Sequence, residues 1–119
     1  MSNDPAKEQL RRHARAQAQA IMQETATAEA LITYGELARR IKALPYAPNS
    51  RALTDLLCKI SQAENVAERG MLSVVVVRKD RGLPGEGFFD LARKLGFSIE
   101  DQRDFWERER AKVYEVWTE

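Results

Sequence analysis

The residues able to do chemistry are few, and their spacing suits none of the common reactions. One histidine, His13, and one cysteine, Cys58, are all the chain offers of those types. His13 stands among Arg11, Arg12 and Arg15 in a polar stretch, which reads as a solvated position. Cys58 falls among Leu56, Leu57 and Ile60, the setting of a small buried hydrophobe and not of a reactive thiol. A lone cysteine excludes an internal disulfide, and one Cys with one His argues against structural zinc. The acidic pairs Glu100–Asp101 and Glu107–Glu109 lie in a charged terminal stretch and read as solvated surface. Gly82-Leu83-Pro84-Gly85-Glu86-Gly87 has the glycines of a phosphate loop. It lacks the Gly-Lys-Ser/Thr ending and fits no dinucleotide fingerprint, so it reads as a shaped loop. The expectation is a protein with no catalytic residue, no metal and no cofactor.

What the chain does cluster is positive charge. Residues 31–60 carry Arg39, Arg40, Lys42, Arg51 and Lys59 against Glu36 and Asp55, a net of +3. Arg78, Lys79 and Arg81 crowd a second place, opposed by Asp80. Residues 98–119 run the other way, net −3. Such a division turns one side of a molecule toward phosphates, the footprint of sequence-independent nucleic-acid affinity. The plainer account is that these side chains only solvate exposed faces, since the whole-chain charge of +1 supplies no steering field. Tyr34 and Arg51 each open a helix, where a core aromatic and a solvated arginine compete with contacts to a DNA backbone or groove. The candidate DNA-binding set is therefore Tyr34, Arg39, Arg40, Arg51, Lys59, Arg78, Lys79 and Arg81. On the last helix Trp106, Tyr114 and Trp117 suit a clamp onto the core; Tyr114 and Trp117 become protein-binding candidates if their face is open.

The elements that must hold these residues can be read from caps and periodicity. Asp4 and Pro5 start a first helix running to about Thr25, rich in Ala and Gln, with a thin stripe of Ala6, Leu10, Ala14, Ala18, Ile21 and Met22. That thinness predicts a helix on the domain's edge. A short strand over Ala30–Thr33 leads into a helix opened by the capping-box pair Thr33 and Glu36, ending near Ala43 before Pro45. Ser50 caps the next helix, with Leu53, Leu56, Leu57 and Ile60 on one face. The β-branched run through Leu72–Arg78 predicts a strand covered on both faces. An irregular edge return is predicted near Gly87–Phe89. Phe88, Phe89, Leu91, Ala92 and Leu95 give a short helix stopped by Gly96, and a last helix begins at the Ser98–Asp101 pair.

With 119 residues, 44% of them hydrophobic, the chain is sized for one domain with its own core. No apolar run approaches the roughly 20 residues of a membrane span, and Met1–Pro5 lacks the build of a signal peptide. A cytoplasmic setting is expected.

Ile32-Thr33-Tyr34-Gly35-Glu36-Leu37-Ala38, followed by Arg51-Ala52-Leu53 at the start of a second helix, resembles the DNA-binding half of O6-alkylguanine-DNA alkyltransferases and their alkyltransferase-like relatives. The likeness spans about residues 30–85. It implies a winged helix-turn-helix gripping the minor groove, with Tyr34 at a backbone phosphate beside a flipped nucleotide and Arg51 filling the gap in the stack. The family's Pro-Cys-His-Arg segment would fall near Leu72-Ser73-Val74-Val75, which holds none of its reactive groups, so alkyl transfer is excluded. The stretch from Leu72 to Phe89, with the aromatic last helix, also looks like a group of small uncharacterised bacterial proteins of no known activity.

The reading is an α+β, helix-rich single domain over 1–119. A winged helix-turn-helix with a small antiparallel sheet occupies 30–89, flanked by an N-terminal helix (1–28) and two C-terminal helices (90–119). Its expected function is non-enzymatic DNA binding through the basic helix pair and wing. The alternative is a small protein-binding module, such as an immunity or inhibitor protein of a bacterial or phage conflict system.

Overall fold

The structure, a computed structural model, describes residues 4–119. Five helices dominate it. Helix α1 (Pro5–Thr27) starts where the Asp4 carboxylate accepts the Ala6 N–H at 2.9 Å, with proline in the first turn. Its every-fourth row Ala14, Ala18, Met22 and Ala26 is wholly buried, and α1 packs on α2, α3, α5 and the turn preceding β2. The helix expected on the edge thus has one face of its second half, from Ala14 on, packed into the core, because small alanines let four elements approach its axis there. Ala6 and Leu10, by contrast, lie outside the core.

The Thr33 hydroxyl takes the Glu36 N–H, so the two-residue strand β1 (Ile32–Thr33) tips directly into α2 (Tyr34–Arg40). The helix stops at Arg40, earlier than the proline spacing predicts. The Gln17 side-chain carbonyl on α1 captures the N–H groups of Lys42 and Ala43 and draws the chain out of the helix. Ser50 caps α3 (Arg51–Val66) through the Leu53 N–H at 3.1 Å. Leu53, Leu57 and Ile60 on its inner face meet Leu37, Met71 and Phe89 in one core. Burying side chains of this size stabilises by roughly 1.5–3 kcal/mol each.

The predicted strand Leu72–Arg78 is mostly not a strand. Leu72–Val75 form a 3-10 turn and only Val76–Val77 extend, as β2. Side chains from two helices have taken the backbone groups a ladder would use. The Met71 N–H donates to the Glu109 carboxylate at 2.8 Å, the Ser73 N–H to the Ser61 hydroxyl at 2.8 Å, and the Val74 carbonyl accepts the Trp106 indole N–H at 2.8 Å. The run of valines encoded complete burial, which a turn satisfies as well as a strand.

The sheet is parallel, not antiparallel: Ile32 pairs with Val76 and Thr33 with Val77. Two helices separate the strands, and such a crossover returns the chain to the end where β1 began. No third strand joins among the described residues. The expected edge return at Gly87–Phe89 lies inside α4 (Glu86–Lys94), which begins at Gly85 and ends before Gly96 at φ +100°. Helix α5 (Gln102–Thr118) is capped by Asp101 through the Asp104 N–H, so Ser98 lies outside it. It packs on α1 and the 3-10 turn, and Gly70 (φ +88°) lets the chain pass beneath it. No helix is long and apolar enough to cross a membrane.

Candidate functional site

A cleft of about 580 Å³ opens between the start of α2, the middle of α3 and the Arg78–Gly87 segment. The size suits a small ligand or a single nucleotide. Its depth is set by the buried residues Leu57, Ser73 and Phe88, and its mouth by the exposed Arg78, Lys79, Asp80 and Glu86.

The Arg78–Gly87 segment is tied down at every few residues. Arg78 receives the Gly82 N–H on its carbonyl and donates its own N–H to the Leu83 carbonyl, both at 2.8 Å, closing a tight loop with Gly82 at φ +69°. The Tyr34 hydroxyl then accepts the Gly85 N–H at 2.8 Å. Gly87 lies so close to α3 that a Cβ there would stand 2.6 Å from Thr54 Cγ2. Burial pushes the Tyr34 phenol above its ordinary value, against the lowering pull of the Gly85 N–H. The phenol therefore keeps its proton at neutral pH.

The groups inside the cleft form hydrogen bonds but no activated nucleophile. The Ser61 hydroxyl donates to the Ser73 hydroxyl at 2.6 Å while accepting the Ser73 N–H. The Cys58 thiol, 3.8 Å from the Gly87 carbonyl, is half-buried, more open than its leucine neighbours predicted. Burial first, and Asp55 second, raise it above the usual thiol range. Both carboxylates at the mouth are engaged, Asp80 by Arg78 at 3.0 Å and Glu86 by the Gln102 amide at 3.0 Å. No cluster of His, Cys, Asp or Glu among the described residues could hold a metal ion.

A shallower groove adjoins the cleft, formed by α2 and the proline connector. Gly35 and Pro48 line both, so the two depressions are neighbours on one surface. Arg78 and Lys79 stand at the cleft, Arg39 and Lys42 at the groove. Of the expected phosphate-facing residues, Tyr34, Arg39, Arg78 and Lys79 therefore line this surface. Arg51, Lys59 and Arg81 are exposed but line neither depression, and Arg40 turns toward Glu24 of α1 at 3.7 Å. Arg39 is already paired with Glu36. Lys79 has no carboxylate partner among the described residues.

Tyr114 and Trp117 line neither depression and sit on the α1 side. The Tyr114 hydroxyl donates to the Ala30 carbonyl at 2.6 Å, and the Trp117 carbonyl receives the Thr27 hydroxyl at 3.3 Å. Both side chains are half-buried, held by α1 and the turn after it. The Trp117 indole N–H is buried with no acceptor among the described residues. Sequence reading missed Thr54, Cys58 and Ser73 as cleft residues. The tightly spaced glycines at 82, 85 and 87 were the one sign that something must approach this loop closely.

Compared with known protein families, curated proteins and solved structures, the chain matches none of them.

Proposed function

We propose that the protein binds DNA without catalysing a reaction, meeting the phosphate backbone with the surface around the cleft and the groove. The observation that carries this reading is the continuity of those depressions through Gly35 and Pro48, with Arg39, Lys42, Arg78 and Lys79 distributed along them. In this reading α2 and α3 act as a helix-turn-helix pair, and the closed Arg78–Gly85 loop stands where a winged-helix protein has its hairpin. In the same reading Arg51, exposed in the first turn of α3, is the side chain that enters a groove. The likeness to alkyltransferase-like proteins supports the same partner. Alkyl transfer is not part of the proposal, because Leu72–Val75 stand where that family keeps its reactive motif.

A labelled duplex titrated by fluorescence anisotropy between 50 and 200 mM salt tests the reading. Each phosphate contact contributes a slope of about 0.9 in log K against log salt, so R78Q/K79Q lowers the slope by up to about 2. Wild-type protein that binds no duplex at low salt overturns the proposal.

A second reading, a protein-binding module, is favoured by one observation: Arg39 and Arg78 are already held by Glu36 and Asp80. Prepaid pairs suit a surface of fixed shape more than one waiting for phosphates. Wild-type protein that binds no duplex at 50 mM salt favours this alternative.

A further inference from the structure

We propose that the first half of α1 is a cationic arm that lies along a nucleic-acid backbone, a contact separate from the cleft surface. From Asp4 to His13 every residue is exposed, and burial begins only at Ala14. The row Ala26, Met22, Ala18, Ala14 is wholly buried, yet its next member, Leu10, is 39% exposed. The helix thus runs on for more than two turns past the edge of the core, with its core-facing side uncovered among the described residues.

The neighbouring row of the same helix tells what that uncovered side offers. Gln19 begins it, bonded to the buried Glu64 at 2.8 Å, and at four-residue steps it continues as Arg15, Arg11 and Lys7. At about 1.5 Å per residue these three cations span roughly 12 Å of helix. Arg12 adds a fourth charge, while the only acids of this stretch are Asp4 and Glu8. Asp4 is engaged in capping, and Glu8 reaches Arg11 and Arg12 only at 3.8 Å.

A helix exposed all round gains nothing from burial and is marginal at this length without further contacts. A partner that supplies those contacts must be anionic. Protein interfaces centre on aromatic or large apolar anchors, and the arm has only Leu10. Flexible cations at regular steps, without an apolar anchor, match a phosphate backbone. The identity of the partner as DNA rests on the function proposed above; the geometry of the arm does not.

The test compares three full-length variants on a labelled 24-bp duplex between 50 and 200 mM salt: K7Q/R11Q/R15Q in the arm, R78Q/K79Q at the cleft, and R93Q/R103Q/K112Q as a charge-matched control on α4 and α5. Glutamine sustains a helix nearly as well as lysine or arginine, so far-UV circular dichroism should agree for all three. The expected result is a slope reduced by about 2–3 for the arm variant and unchanged for the control, with at least tenfold weaker binding at 0.1 M salt. Arm substitutions without effect, while the cleft variant weakens, overturn the arm and leave the proposed function standing. Weakening by the arm variant alone supports the arm and removes the cleft surface from DNA binding. Equal losses in arm and control variants overturn the proposal, because then only net charge matters. A wild-type protein that binds no duplex overturns both.

Discussion

The Tyr34 hydroxyl accepts the Gly85 N–H at 2.8 Å, joining residues 51 positions apart and fixing one wall of the cleft to the first turn of α2. Tyr34→Phe keeps the ring and deletes the acceptor, leaving the Gly85 N–H without this partner. A loss of about 1 kcal/mol is expected in chemical denaturation. The phenol's raised value also sets a sign: its neutral form is favoured by folding, so its contribution is intact below the ordinary tyrosine range and declines as pH rises through and above it. The alkaline fall in stability should therefore be shallower in Tyr34→Phe than in wild type.

Gly87 and Thr54 make a second test of the same wall. A methyl added at residue 87 collides with Thr54 Cγ2, a branched side chain with little freedom on its helix. Gly87→Ala should cost about 1–3 kcal/mol. Adding Thr54→Ser, which removes the opposing methyl, should recover most of the loss in thermal melting. A double variant no more stable than Gly87→Ala would refute the contact.

Cys58 should be slow to react despite its partial exposure. Its thiol is raised by burial and by Asp55, so the thiolate fraction at neutral pH is below that of a free cysteine and grows only at higher pH. Labelling by a maleimide at pH 7 as fast as in the unfolded chain would contradict this. Cys58→Ala should cost about 1 kcal/mol.

Trp117 separates packing from hydrogen bonding. Its indole N–H is buried without an acceptor among the described residues, a costly arrangement. Trp117→Phe removes the orphan and keeps an aromatic ring, so stability should stay within about 1 kcal/mol of wild type. Trp117→Ala strips the contact with α1 and should cost about 2 kcal/mol or more. A loss in Trp117→Phe as large as in Trp117→Ala would show that the indole nitrogen has a role the packing does not explain.

The helices were legible because their signals are local. Asp4, Thr33 and Ser50 each cap the helix they announce, and Gly96 follows α4 at positive φ. The Leu72–Val77 segment was not, because the partners of its backbone and of Met71 just before it, Ser61, Trp106 and Glu109, come from α3 and α5, and no window along the chain contains them. The cleft was half legible for the same reason. Tyr34, Arg78 and Lys79 advertise themselves by type, whereas Ser73, Thr54 and Cys58 reach it through the crossing of distant elements.

The parallel pairing of Ile32 with Val76 has a consequence for the order in which the chain assembles. Two strands of two residues each cannot hold together unaided. Their partners are separated by the whole of α2, the proline connector and α3, so the entropy of closing that loop falls due before the pairing returns anything. Helices α2 and α3 shorten the gap as they form. The β1–β2 contact should therefore close late, and in pulsed hydrogen exchange its amides should gain protection after those of α3. The wall of the cleft comes into being with that closure, since Tyr34 and Arg78 are the residues that immediately follow the two strands.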